Sequence, residues 1–106
     1  MTNEKYDTLR IHAGYRPEAH QYASSVPIYE TAAFVLGDAK SAEEIVNGRS
    51  KGRYSYSRVG NPTVKVFEER IAVLEGGIGA VAVGSGMSAI TYTILNVAEG
   101  GGRIIA

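Results

Sequence analysis

No cysteine occurs among the 106 residues. That excludes disulfides, thiolate catalysis and zinc ribbons, and leaves the redox compartment open. Net charge is missing too: eleven basic and eleven acidic side chains cancel, so no bulk attraction to nucleic acid or to an anionic membrane is expected. No apolar run approaches the length of a membrane span, and residues 1–15 lack the basic region and apolar core of a signal peptide. The expectation is a cytoplasmic protein that does not span a membrane. Several catalytic signatures are also absent. There is no Walker A lysine motif and no His-Glu-x-x-His helix. Ser85 is flanked by Val83 and Met87, and Ser88 by Gly86 and Ile90, so neither forms a Gly-x-Ser-x-Gly nucleophile elbow. Pro62 disqualifies Asn61-Pro62-Thr63 as a glycosylation acceptor. His12 and His20, with no nearby His or Cys, do not match metal-ligand spacing, and no metal site is expected.

What is present suits a packed protein. The chain is 44% hydrophobic and 21% charged, with 13 glycines and seven tyrosines, which is neither a disordered nor a fibrous composition. Its length fits one small domain or a piece of a larger one. No internal repeat or low-complexity tract interrupts it.

Residues 54–87 organise the rest. If residues 54–58 are extended, Tyr54, Tyr56 and Arg58 share one face and Ser55 and Ser57 the other. Two phenols beside a five-donor planar cation suit a phosphate or carboxylate; a half-exposed edge strand is the rival reading. A second anion feature follows. Residues 80–83, all Ala or Val, read as a buried strand, and residues 85–97 as a helix. Gly84, Ser85 and Gly86 join them. The first N–H groups of a helix lack intrahelical partners and carry the positive end of its dipole, so an anion fits there. Ser85 suits the N-cap, and Gly86 has no Cβ to keep a ligand from the backbone. An ordinary capped helix without a ligand is the alternative.

Elsewhere, residues 1–27 show no clear period and carry Gly14, Pro17 and Pro27, which reads as an extended arm lying over another surface. Residues 26–36 are mostly apolar and fit either a strand or a loop. Residues 38–46 read as a helix with Ser41 and Glu44 in capping-box spacing and Gly48 as the stop. Residues 47–53 form a basic, glycine-rich loop. Asn61 and Pro62 open a helix whose Val64, Phe67, Ile71 and Leu74 make a core stripe, with Glu68, Glu69 and Arg70 toward solvent; Gly76 and Gly77 end it. In the next helix Ile90, Ile94 and Val97 form a stripe, widened by Tyr92 and Leu95. Residues 103–106 read as the start of a strand.

Gly84-Ser85-Gly86-Met87-Ser88-Ala89 formally matches the dinucleotide pattern Gly-x-Gly-x-x-Gly/Ala. The acidic residue expected about twenty positions on is missing, since Ile104, Ile105 and Ala106 stand there. A dinucleotide-binding module and a non-catalytic assembly piece are the rival functional readings.

The order and spacing of Thr8-Leu9-Arg10-Ile11-His12-Ala13-Gly14, Pro27-Ile28-Tyr29-Glu30-Thr31, Tyr54-Ser55-Tyr56-Ser57-Arg58, Asn61-Pro62-Thr63, Leu74-Glu75-Gly76-Gly77 and Ser85-Gly86-Met87 resemble the Cys/Met-metabolism family of pyridoxal-phosphate enzymes. Within it the chain is most similar to O-acetylhomoserine sulfhydrylases, followed by cystathionine synthases and lyases and methionine γ-lyase. The resemblance implies an α/β fold. Residues 1–60 would be an N-terminal arm and cofactor-phosphate-binding strand. Residues 61–106 would begin a fold-type I large domain, an incomplete and mainly parallel sheet with flanking helices. It implies pyridoxal 5'-phosphate as cofactor, an amino-acid substrate, and a homotetramer of dimers that share active sites. Tyr56 and Arg58 would bind the cofactor phosphate of the neighbouring subunit, and the N–H groups of Gly86 and Met87 that of their own. Lys5, Lys40, Lys51 and Lys65 match no family position for the cofactor-linking lysine. No catalytic residue is therefore assigned, and this stretch is expected to be inactive alone. Gly101-Gly102-Arg103 departs from the Gly-Asp pair of many members, which weakens the subfamily assignment.

Overall fold

A computed structural model describes residues 5–105. Residues 1–4 of the expected arm and Ala106 of the expected last strand lie outside the described residues. Four α-helices follow in chain order: α1 (Tyr6–His12), α2 (Ala39–Val46), α3 (Pro62–Leu74) and α4 (Gly86–Val97), with a 3-10 turn at Pro17–His20 between α1 and α2.

Local capping explains most of the helix boundaries. At α3 the Asn61 side chain accepts from the Thr63 N–H, and Pro62 occupies the first turn. Its C-terminus closes through Gly76 at φ +65°, with the Gly76 N–H donating to Val73 O and the Gly77 N–H to Ala72 O. This is the paired bonding by which a left-handed glycine satisfies the last carbonyls of a helix. At α4 the Ser85 hydroxyl accepts from the Ser88 N–H. At α2 the cap is Asp38, whose carboxylate accepts from the Ser41 N–H at 2.8 Å. The helix is therefore capped three residues before the Ser41 at which the capping box was expected to begin, because Asp38 supplies an acceptor at the true boundary.

The expected extended arm is corrected in part: it contains α1 and the 3-10 turn. A seven-residue helix is too short to persist by itself. Asp7 in its first turn and Arg10 and His12 in its last complement its dipole, and α1 packs on α3, the one helix pairing among the described residues. Gly14 makes this contact possible. It sits at φ +75°, and a Cβ there would lie 2.8 Å from both Arg70 N and Val66 O. The close approach brings the Ala13 carbonyl within 2.9 Å of Arg70 Nε, which donates to it.

The buried face of α3 also differs from expectation. Val66 and Ala72 are buried, whereas Val64, Phe67 and Ile71 of the expected core stripe are exposed, Phe67 by 56%. Glu68 and Arg70, expected in solvent, are half-buried and hydrogen-bonded, Glu68 accepting from the Ala82 N–H. The N-terminal segment occupies the Val66 side, and no described residue covers the stripe. The apolar residues of α4 are likewise exposed, and α4 packs on no other helix among the described residues.

No β-strand forms among the described residues. Residues 80–83 and 103–105 carry no sheet pairing, and Val81 is exposed, so the expected buried strand and strand start are not seen. A strand needs a neighbour for its N–H and C=O groups, and no described residue supplies one. Residues 26–36 are irregular. They touch residues 54–58 through one antiparallel bridge, Ala33 to Tyr56, flanked by bonds from Phe34 N to Ser55 O and from Ser57 N to Ala32 O. The radius of gyration is 16.9 Å, against about 13 Å for a compact chain of this length. Accessible surface is 8934 Å², where about 5,700 Å² is usual for this mass.

Candidate functional site

The expected phosphate strand at residues 54–58 is instead a bridge followed by a turn. The N–H groups of Val59 and Gly60 both return to the Tyr56 carbonyl, at 2.9 and 3.0 Å, which ends the extended run at Tyr56. The turn still brings the two expected side chains together. The Arg58 guanidinium carbon stands 5.3 Å from the centroid of the Tyr56 ring, within cation–π range. Tyr56 and Arg58 are both exposed, and neither side chain hydrogen-bonds another described residue. Five guanidinium donors and a phenol thus remain for a ligand.

Tyr54, expected on the same face, faces elsewhere. Its ring lies 5.6 Å from that of Phe34, and burial, with smaller contributions from the Glu69 and Glu68 carboxylates, pushes its phenol above the ordinary value. It stays a neutral hydroxyl. Tyr54 lines a cleft of about 740 Å³ with Arg16, His20, Lys51, Arg53 and others, and this cleft includes none of Tyr56, Arg58, Gly86 or Met87.

At the start of α4 the expected geometry is present. Ser85 is the extended N-cap and engages the Ser88 N–H. The N–H groups of Gly86 and Met87 have no acceptor among the described residues. No acidic side chain stands in the first turn, and a Cβ on Gly86 would meet nothing within 4 Å. Two unused amides at the positive end of a 12-residue helix, beside open space, form a cradle that fits a phosphate group. Among the described residues no hydrogen bond or ring contact joins this cradle to the Tyr56 and Arg58 pair.

One supporting group was not singled out from the sequence. Asn61, read there as an N-cap, is buried and also holds the turn that carries Arg58. The signal available was the residue type: an asparagine cap has two amide donors that a serine cap lacks. His20, which showed no metal spacing, stacks on Tyr15 and lies 3.3 Å from the Tyr29 hydroxyl. No cluster of metal-ligating side chains occurs among the described residues, and no helix there is long and apolar enough to cross a membrane.

Comparison with known proteins gives this geometry its context. Homocysteine synthase of Schizosaccharomyces pombe is 39% identical over 106 residues, and O-acetyl-L-homoserine sulfhydrylase of Corynebacterium glutamicum 44% over 100. These alignments cover 100% and 94% of the chain but 24% and 23% of the relatives, so the chain spans about a quarter of their length. Among solved structures, a protein described as O-acetylhomoserine (thiol)-lyase from Campylobacter jejuni, containing pyridoxyl-lysine monophosphate, superposes with a TM-score of 0.78 at 36% identity. That alignment covers 89% of this chain and 23% of that one. Cystathionine gamma-lyase from Lactobacillus plantarum, complexed with L-serine, gives 0.69 at 35%, over 89% and 22%. The family model for Cys/Met metabolism PLP-dependent enzymes, where PLP is pyridoxal phosphate, matches residues 7–106, and with both phosphate-compatible features inside that span the chain belongs to this family.

Proposed function

We propose that this chain supplies two parts of a pyridoxal phosphate site in an O-acetylhomoserine sulfhydrylase, an enzyme that makes homocysteine by replacing the γ-substituent with sulfide. The observation that carries the reading is the start of α4, where the unused N–H groups of Gly86 and Met87 meet open space at a capped helix end. Gly86 and Met87 would hold the cofactor phosphate from one subunit, while Tyr56 and Arg58 would reach that of a neighbour. The absence of contact between the two pairs within one chain is compatible with this division. Guanidinium, phenol and two amides match a phosphate dianion in both charge and donor number. When bound, the cofactor supplies an electron sink for carbanion chemistry, and these residues fix its position.

The reading extends to a cytoplasmic homotetramer of active-site-sharing dimers. Residues 1–60 would serve as arm and phosphate-binding segment, and residues 61–106 would begin a fold-type I domain with a mainly parallel sheet and flanking helices. A cystathionine γ-synthase or lyase, or a methionine γ-lyase, is the runner-up, favoured by the similarity to cystathionine gamma-lyase. The test is an assay of the whole protein with O-acetylhomoserine and either sulfide or cysteine. Homocysteine formation with sulfide is expected. Exclusive cystathionine formation with cysteine would move the assignment to the runner-up. The 106-residue chain alone is expected to show no turnover, and activity from it would refute the reading.

A further inference from the structure

We infer that Asn61 and Ser57 act together as a positioning pair that sets the orientation of Arg58 toward the cofactor phosphate, an inference that rests on the function proposed above. Asn61 is the one buried polar residue among the described residues, 7% exposed, and its side chain is bonded in three directions. Its Oδ1 accepts from the Thr63 N–H at 2.9 Å and caps α3. Its Nδ2 donates to the Tyr29 carbonyl at 2.9 Å and to the Ser57 hydroxyl oxygen at 3.0 Å. The Ser57 hydroxyl in turn donates to the Thr31 carbonyl. The amide therefore uses both of its donors and one acceptor. Ser57, accepting from Asn61 and donating to Thr31, transmits the constraint to residues 29–31. Thr63 reinforces the same junction, accepting from the Tyr29 N–H at 3.0 Å and donating to the Pro27 carbonyl at 2.8 Å.

Ser57 lies between Tyr56 and Arg58 in the turn. Without its tie, the turn keeps the bonds from Val59 and Gly60 to the Tyr56 carbonyl, the pairing with Ala32 and the contact of Arg58 with the Tyr56 ring, and among the described residues no other side-chain hydrogen bond joins it to the α3 cap. A cap alone does not require asparagine, because serine caps about as well. The extra donors of Asn61 are explained by the turn. A guanidinium presented in a fixed direction loses less conformational freedom on binding, which favours bidentate contact with phosphate.

The test compares pyridoxal phosphate with pyridoxal, which lacks the phosphate, in equilibrium binding to the whole apoprotein. Asn61→Ser keeps an N-cap while removing the amide donors. Ser57→Ala leaves α3 and its cap unchanged and decides the matter if Asn61→Ser does not fold. Each is expected to lower pyridoxal phosphate affinity about three- to tenfold, the loss of a hydrogen bond, with pyridoxal affinity unchanged. Equal losses for both ligands would make the pair merely structural and overturn the inference, as would no loss for either. Arg58→Ala separates the layers. If it leaves the preference for pyridoxal phosphate over pyridoxal intact, the phosphate reading itself fails. If it abolishes that preference and Ser57→Ala does not diminish it, only the positioning role fails.

Discussion

The segment that joins α1, α3 and residues 27–63 and the segment from residue 78 to residue 105 are built by different means. In the first, α1 docks on α3 and bonds such as Arg70 to Ala13 and Asn61 to Tyr29 tie together distant parts of the chain. In the second, α4 is capped by Ser85 but packs on no helix among the described residues, and Ile90, Tyr92, Leu95 and Val97 are exposed. Capping therefore defines where a helix starts without defining what it lies against. The two candidate anion-binding features follow the same contrast: the start of α4 rests on local capping, whereas the turn that carries Arg58 is also tied to residues 29–33.

The largest expected effect would break the first segment. Gly14→Ala puts a side chain at φ +75° and within 2.8 Å of α3 backbone atoms, and about 3 kcal/mol of stability is expected to be lost from strain and overpacking. Gly79→Ala, with no neighbour within 4 Å of the added Cβ, should change stability by less than about 0.5 kcal/mol. Urea denaturation of the two variants of the whole protein measures this difference, and equal midpoints would contradict the close packing of α1 on α3.

A second substitution targets the cradle and spares the helix. Gly86→Pro occupies the first position of α4 after Ser85, whose φ of −157° and ψ of 155° suit a residue before proline. It removes one N–H and adds a ring where the ligand would approach, so pyridoxal phosphate binding should weaken by at least about 2 kcal/mol, the typical scale of a hydrogen bond to a charged group. Circular dichroism should show α4 retained. Unchanged cofactor affinity would remove Gly86 from the site.

Burial sharpens the contrast further. Val66→Ala empties a buried position and is expected to cost about 2 kcal/mol. Ile94, 40% exposed in this chain, should cost as much on truncation to Ala only where the rest of the protein covers α4. Comparing Ile94→Ala in the whole protein and in the 106-residue chain by hydrogen exchange in α4 tests for that cover.

The smallest effect is a pH dependence at α2. The Asp38 carboxyl is held below its ordinary value, chiefly by the Ser41 N–H, then by the Ser41 hydroxyl, with Arg53 assisting. A depressed folded value means the cap contributes fully above the unfolded carboxylate range and is lost as pH falls through the lower, folded value. Acid should therefore fray the start of α2, seen as a loss of protection of the Ser41 amide relative to its intrinsic exchange rate at each pH. Asp38→Asn keeps a capping oxygen and should abolish that dependence.

The amino-acid sequence by itself determined the ends of α3, the start of α4 and the Gly86 and Met87 cradle, because Asn61, Gly76, Gly77 and Ser85 satisfy orphan backbone groups a few residues away. It also carried the family, through ordered motifs matched over residues 7–106. Tertiary structure alone decided which face of α3 is buried, where the arm docks, and how the turn after Tyr56, closed locally by the Val59 and Gly60 N–H groups, is tied to residues 29–31. The bonds responsible span 57 residues from Arg70 to Ala13, 32 from Asn61 to Tyr29 and 26 from Ser57 to Thr31. Periodicity reports that a helix has an apolar stripe; which surface reaches it depends on contacts that no local pattern encodes.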